Sequence, residues 1–200
     1  TQQYAEINAR LTTLTAQRDQ YNQLIAQAAS AEEIETLAAN AESVQAQIDA
    51  LEEAAKRHHP KLFYVIPCFQ NPSGRTLSLE RRQQIAELAA KYHFLVMEDD
   101  PYRDLRYAGE QLPTIKSFDK DGYVAYCGSF SKIVSPGLRL GYIYGQEDVV
   151  RKCAIGKQGS DLHTSNLTQA VVDRFLRQGL LEPHIQAILP GYRDKLNVMA

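Results

Sequence analysis

Glycine and proline are missing from the first 59 residues, although the whole chain of 200 residues has 11 glycines and 8 prolines. A stretch of that length without either helix breaker excludes a series of tight turns and favours long helices. The composition changes near residue 58, and we predict two parts. Residues 1–57 would form a helical unit, and residues 58–200 would form a second unit rich in turns.

Several other features are scarce, and each scarcity excludes a class of protein. The chain has only 3 cysteines, which are far apart and lack CxxC spacing, so we expect reduced thiols in a cytoplasmic protein and no metal site. The net charge of -2 gives no basic field for nucleic acid. No apolar run is long enough to span a membrane, and no signal-peptide pattern opens the chain. GxGxxG and Walker loops are missing, which excludes dinucleotide and P-loop sites of those types.

Residues 1–57 carry apolar side chains at alternating spacings of three and four. The first seam runs from Tyr4 to Ala28 and the second from Ile34 to Ala55, with a capping-box pattern from Ser30 to Glu33 between them. Such a pattern predicts an antiparallel coiled-coil hairpin. Two interpretations stay open: the hairpin mediates oligomerisation or partner binding, or it is a plain helical arm, which we favour.

From Lys61 onward, short β-favouring runs alternate with helical patterns. This alternation predicts an α/β layer structure with active groups on loops after the strands. The predicted strands are 62–66, which we expect to be buried, 94–97, 123–127 and 140–144. The predicted helices run from a cap at Ser78 to about His93, and over about 147–157, 167–178 and 184 to the end.

Polar side chains follow the successive predicted strands, beginning with Asn71 and the pair Asp99 and Asp100. Because strand ends in one sheet converge, these groups could share one ligand. Lys132 lies on a small-residue turn, and Arg139 follows seven residues later. A lysine can condense with an aldehyde while an arginine binds an anionic group of the same ligand. The SxxK pattern of serine acylases also fits this turn, but its SDN and KTG partners are missing, so we reject it.

Four motifs, PCFQNPSG, MEDDPY, GSFSK and PGLRLGY, occur in a fixed order and spacing between residues 67 and 142, within a longer resemblance over about residues 48–200. In these motifs the chain resembles the fold-type-I, pyridoxal 5'-phosphate-dependent aminotransferases of classes I and II, in the branch that handles 2-aminoadipate, kynurenine and aromatic amino acids. The resemblance implies part of a large domain with a three-layer, mostly parallel sheet. It implies amino acid and 2-oxo acid substrates, and a homodimer.

The resemblance also implies a catalytic role for three residues, Lys132, Asp99 and Tyr102. Lys132 would condense with the cofactor aldehyde and then transfer a proton as base and acid. Asp99 would pair with the pyridine nitrogen, and the step of three residues to Tyr102 favours Asp99 over Asp100 for that role.

Tyr102 and four further residues would also bind the cofactor. Asn71 and Tyr102 would bind its phenolic oxygen, while Ser129, Ser131 and Arg139 would bind its phosphate. His163 lies in a family-like stretch, and we interpret it as a structural or interface residue.

The chain departs from the family in ways that leave a second interpretation open. Family members are about twice as long, so we expect the chain to lack a phosphate-binding loop, a stacking aromatic and the small domain with its carboxylate-binding arginine. Cys68 also occupies a position that is often polar in the family. The alternative is therefore a non-catalytic hybrid whose hairpin mediates assembly or partner binding.

Overall fold

The computed structural model describes residues 49–106 and 108–199. The predicted hairpin, residues 1–57, lies almost entirely outside these residues. Only its last part, 49–57, is described, and it belongs to a helical segment over 49–58. Within that part Leu51 and Ala55, both members of the second seam, pack against the core of the α/β unit. The predicted end of the helix is confirmed, since His59 has left-handed backbone with φ 42°. The boundary between the two predicted parts stays a prediction.

One sheet of four strands in the order β1-β2-β3-β4 organises the described residues. The strands are β1 Leu62–Val65, β2 Leu95–Asp99, β3 Val124–Ser129 and β4 Gly141–Tyr144. The first three are parallel, and β4 runs antiparallel to β3. The α/β class and the mostly parallel sheet are therefore confirmed. Parallel order places the carboxyl ends of β1, β2 and β3 at one edge, where α/β ligands bind.

Four helices follow the strands in the pattern expected from the sequence. They are α1 Leu79–Tyr92, α2 Glu147–Ser160, α3 Asn166–Arg177 and α4 Leu181–Met199. Ser78 caps α1 as predicted, accepting a hydrogen bond from the Arg81 amide, and His93 ends the helix in left-handed conformation. Of the described helices, none combines the length and the apolar character needed to cross a bilayer.

The two faces of the sheet differ in how they are covered. On one face Val96 and Val124 are buried in a cluster with Ile85, Leu88 and other residues of α1. On the other face of β1, Leu62 is 48% and Tyr64 52% exposed. The prediction of a fully buried strand over 62–66 was therefore wrong. An unbroken apolar run does not tell which side of a strand another element will cover.

Two buried charged residues hold the loops on the covered side. Arg82 is 0% exposed and donates hydrogen bonds to the carbonyl oxygens of Leu77 (3.1 Å), Pro113 (3.0 Å) and Pro67 (2.9 Å). Glu98 accepts hydrogen bonds of 2.8 Å from the amides of Ile115 and Lys116. These contacts fix the segments after β1 and before β3, so the loops at the sheet edge have a defined course.

Candidate active site

The lysine turn is held in place by its apolar neighbours. Phe130 and Ile133 are buried in a second cluster with Val172 of α3 and Ile185 of α4. The Phe130 amide donates to the Leu140 carbonyl (3.1 Å), and the Phe130 carbonyl accepts from two amides further along the turn. Lys132 lies between these anchors and is exposed. The turn therefore presents an amine to solvent from a fixed backbone.

The Lys132 amine lies near the loop that follows β2. Its Nζ atom is 6.0 Å from the centroid of the Tyr102 ring. On the same turn, the Ser129 hydroxyl oxygen accepts a hydrogen bond of 3.1 Å from the Ser131 amide. The structure thus brings Lys132 and Tyr102 together across loops that follow different strands, and it brings Ser129 and Ser131 together within one turn.

Glycine is required where β3 meets β4. A Cβ atom at Gly128 would lie 2.2 Å from the Tyr142 ring, which crosses this position. A Cβ atom at Gly141 would lie 2.9 Å from the Gly128 carbonyl oxygen. The two strands pair Ser129 with Gly141. The close approach of the strands therefore sets where the turn begins and where the segment of Arg139 ends.

The acidic run at the end of β2 alternates between the two faces of the sheet. Glu98 is buried on the covered side, where burial raises the pKa of its carboxyl group. Asp99 lies on the open side and is only half-buried. Asp100 is 4% exposed, with the Arg103 Nη1 atom 3.9 Å from its Oδ2, and burial raises its pKa too. Of the three carboxylates, only that of Asp99 is thus accessible, and it lies on the open face of the sheet.

Asn71 and Arg139 lie on exposed segments. Asn71 belongs to a turn after β1, and its carbonyl oxygen accepts from the Gln70 side chain (2.7 Å). Arg139 has φ 49° and donates to the Pro136 carbonyl (3.3 Å). Within the described part of the chain, no hydrogen bond joins either residue to another member of the predicted set, so their side chains keep donors and acceptors free for a ligand.

Sequence analysis missed one residue of this region. The Tyr64 hydroxyl donates a hydrogen bond of 2.5 Å to Asp99 Oδ2. The strand run that contains Tyr64 was recognised, but without the pairing register its neighbour on β2 was unknown. A signal did exist, because a polar-tipped aromatic in the middle of an apolar strand commonly finds a hydrogen-bond partner.

Comparison with known proteins matches this arrangement to one family. The sequence profile described as "Aminotransferase class I and II" matches residues 20–195. The chain belongs to this family. The aromatic-amino-acid aminotransferase 1 of Thermococcus litoralis is 39% identical over 160 residues, which cover 80% of the chain and 38% of that protein. The chain therefore spans about two fifths of the length of this curated aminotransferase.

Solved structures of aminotransferases share the fold. Kynurenine aminotransferase of Pyrococcus horikoshii superimposes with a TM-score of 0.73 at 41% identity, covering 76% of the chain and 39% of that structure. The α-aminoadipate aminotransferase of Thermus thermophilus, complexed with N-(5'-phosphopyridoxyl)-L-leucine, gives 0.70 at 36% identity, with 76% and 40% covered. The expected resemblance to this branch of the aminotransferases is confirmed.

Proposed function

We propose that the chain carries the cofactor-binding part of a pyridoxal-phosphate-dependent aminotransferase, which moves an amino group between an amino acid and a 2-oxo acid. The observation that carries the proposal is the exposed amine of Lys132 on an anchored turn, 6.0 Å from the Tyr102 ring. Family membership over residues 20–195 supports it. Among the described residues no observation favours the alternative of a non-catalytic hybrid.

The donors at this edge of the sheet fit the chemical groups of pyridoxal phosphate. When bound, this cofactor supplies an aldehyde that condenses with amines and a ring that accepts electrons. Lys132 offers a primary amine, and Asp99 offers a carboxylate on the open face. Arg139 is exposed and offers a guanidinium for a phosphate, and the exposed turn of Asn71 offers a side-chain amide.

Lys132 and Asp99 would carry out the proton chemistry. The Lys132 amine would hold the cofactor in the resting protein and would then act as base and acid, moving a proton between the two carbons that flank the substrate nitrogen. The Asp99 carboxylate would hold a proton on the ring nitrogen, since an anion beside this nitrogen favours its charged form. Tyr102 would orient the amine, because the centroid of its ring lies 6.0 Å from the Lys132 Nζ atom.

The remaining residues would position the ligand. Asn71 and Tyr102 would donate to the phenolic oxygen of the ring. Ser129 and Ser131 would bind the phosphate together with Arg139, whose planar guanidinium can make two parallel bonds to phosphate oxygens. A hydroxyl already turned towards an amide, as in Ser129, is held in one orientation for this purpose.

The cellular location and the oligomeric state are also part of the proposal. The free cysteines Cys68, Cys127 and Cys153 support a cytoplasmic protein, since reducing compartments keep thiols unpaired. A homodimer is supported by exposed apolar side chains of Ile155, Leu162 and Leu167. The proposed substrates are an amino acid and a 2-oxo acid.

Borohydride reduction in the presence of pyridoxal phosphate, followed by peptide mapping, tests the proposal. We expect the pyridoxyl mass on Lys132, and we expect Lys132→Ala to lose it. The matched control is Lys152→Ala, which removes an exposed lysine of α2 and should keep the label. Finding the mass on Lys152 or Lys157, or finding none, would contradict the proposal.

The two aspartates give a second test. Asp99→Asn should retain the label but slow proton abstraction by roughly 100-fold, because a neutral ring is a poorer electron sink. Asp100→Asn is the matched control, since its carboxylate is buried on the other side of the strand. An unchanged rate for the Asp99 variant, with a large loss for the Asp100 variant, would reverse the assignment.

A further inference from the structure

Tyr64 and Asp99 are brought together by the pairing of β1 with β2. Tyr64 pairs with Met97, and Asp99 lies two residues beyond Met97, so all three side chains project from the same face. Asp99 is therefore one diagonal step from Tyr64, within reach of a long aromatic side chain. The Tyr64 hydroxyl uses this reach to donate its hydrogen bond of 2.5 Å to Asp99 Oδ2.

We infer that Tyr64 is a positioning residue for Asp99, holding one carboxylate oxygen so that the other faces the ring nitrogen of the cofactor. The inference rests on the function proposed above. A carboxylate on a strand end can rotate about two bonds, and a single fixed hydrogen bond removes most of that freedom. With Oδ2 occupied by Tyr64, Oδ1 is the oxygen left for a ligand N–H group.

At physiological pH Tyr64 is the donor of this hydrogen bond and Asp99 is the acceptor. The hydrogen bond to Asp99, with a smaller effect of burial, raises the pKa of Tyr64 to about 12. The phenol therefore stays protonated at physiological pH and remains a hydrogen-bond donor to Asp99. Tyr64 cannot become an anion that competes with Asp99 for the ring proton.

A second hydrogen bond between a tyrosine and a carboxylate has a structural role and serves as a comparison. The Tyr92 hydroxyl donates 2.7 Å to Glu52, and Lys91 also binds that carboxylate, so this pair ties the helical segment 49–58 to α1. The partner of Tyr64 is different, because Asp99 lies on the neighbouring strand, which the sheet already holds. Tyr64 is also 52% exposed, so its ring contributes little to the core.

The first measurement needs no cofactor. In the full chain labelled with 13Cζ-tyrosine, the signal that Tyr64→Phe removes should titrate near pH 12. In Asp99→Ala it should titrate towards about 10, the ordinary value of a phenol. An unshifted titration in Asp99→Ala would overturn the pairing whether or not the chain binds pyridoxal phosphate.

The second measurement is a double-mutant cycle on pyridoxal phosphate affinity. Tyr64→Phe should weaken binding roughly tenfold, as expected for a lost hydrogen bond to a charged group, without changing the melting temperature. In the Asp99→Asn background the same change should have an effect of less than about twofold, because Tyr64 acts through Asp99. Tyr92→Phe is the matched control and should leave the affinity unchanged in both backgrounds.

Three outcomes separate the inference from the function on which it rests. Additive effects of Tyr64→Phe and Asp99→Asn, with the label still on Lys132, would overturn the inference alone. A wild-type chain that takes no label on Lys132 would overturn the proposed function and the cofactor-directed role of Tyr64 together. Coupled effects with the label present would support both.

Discussion

Glu98 and Asp99 are neighbours in the chain, yet they belong to opposite faces of the sheet and to opposite kinds of environment. Glu98 is 0% exposed, and each of its two carboxylate oxygens accepts a hydrogen bond from a backbone amide. Asp99 is half-buried and receives one hydrogen bond, from Tyr64. The period of two along a strand accounts for the change, because successive side chains point to opposite faces.

Polar residues therefore have different roles on the two faces: they stabilise loops on the covered face and remain available to a ligand on the open face. On the covered side Arg82 and Glu98 form hydrogen bonds with backbone groups of the loops, and these bonds stabilise the loops. Asp99 on the open face and Lys132 on the exposed turn after β3 keep hydrogen-bonding capacity that a ligand can use. If this contrast is correct, substitutions on the covered face should change the free energy of unfolding, and substitutions on the open face should change ligand chemistry.

The largest effect on stability is expected for Arg82→Ala. The substitution leaves three carbonyl oxygens, one buried and two partly buried, without the Arg82 donor and should lower the free energy of unfolding by about 3–5 kcal/mol. Arg82→Lys should recover only part of this, because a single ammonium cannot reproduce the guanidinium fork. Urea denaturation followed by circular dichroism measures the difference.

Arg75→Ala is the control for this experiment. Arg75 is exposed and lies on the connection between β1 and α1, just before the helix that carries Arg82, so its loss should change the free energy of unfolding by about 0.5 kcal/mol or less. Equal effects of the two substitutions would break the contrast between the faces.

A smaller loss is expected for Glu98→Gln. A glutamine has one acceptor oxygen for two amides, so the free energy of unfolding should fall by about 1–3 kcal/mol. Urea denaturation measures this as well. Glu110→Gln, at an exposed position, is the control.

The same variant has a predicted pH dependence. Burial raises the pKa of Glu98 in the folded protein, so the native state holds this proton at pH values where the unfolded chain has released it. As the pH falls from neutral through the raised value, wild type should therefore gain stability relative to Glu98→Gln. The gain should be complete below the ordinary glutamate value, and a difference that shrinks over this range would contradict the assignment.

Ser78→Ala should have a modest effect. Its hydroxyl oxygen accepts a hydrogen bond of 3.4 Å from the Arg81 amide at the start of α1, and loss of such a cap costs about 1 kcal/mol. Thermal or urea unfolding measures the loss. Ser160→Ala at the exposed end of α2 is the control and should change stability less. A neutral Ser78→Ala would mean that packing of α1 on the sheet, rather than its cap, determines where the helix begins.

Local signals in the sequence predicted most elements of the α/β unit. Ser78 and His93 marked the ends of α1, and aromatic or β-branched runs marked all four strands to within two residues. The site motifs were recognised by their order and spacing. These features depend on residues close together in the chain, which is why a sequence alone can reveal them.

The contacts between elements could not be predicted in the same way. The exposure of Tyr64, its bond to Asp99 and the burial of Arg82 all depend on strand register and on which face α1 covers. A one-residue change of register would exchange the faces of Asp99 and Asp100. The seam that includes Leu51 also packs on the α/β core in its described part, a contact that heptad spacing does not indicate.

Lys132→Ala is expected to have the smallest effect on stability and a complete effect on labelling. The side chain is exposed, and its described contact is with the Tyr102 ring at 6.0 Å, so the free energy of unfolding should change by about 0.5 kcal/mol or less. Phe130 and Ile133 would still anchor the turn, because their burial does not depend on the amine between them. A loss above about 2 kcal/mol would mean that Lys132 serves the fold, and the contrast between residues that stabilise loops and residues kept for a ligand would then fail at Lys132.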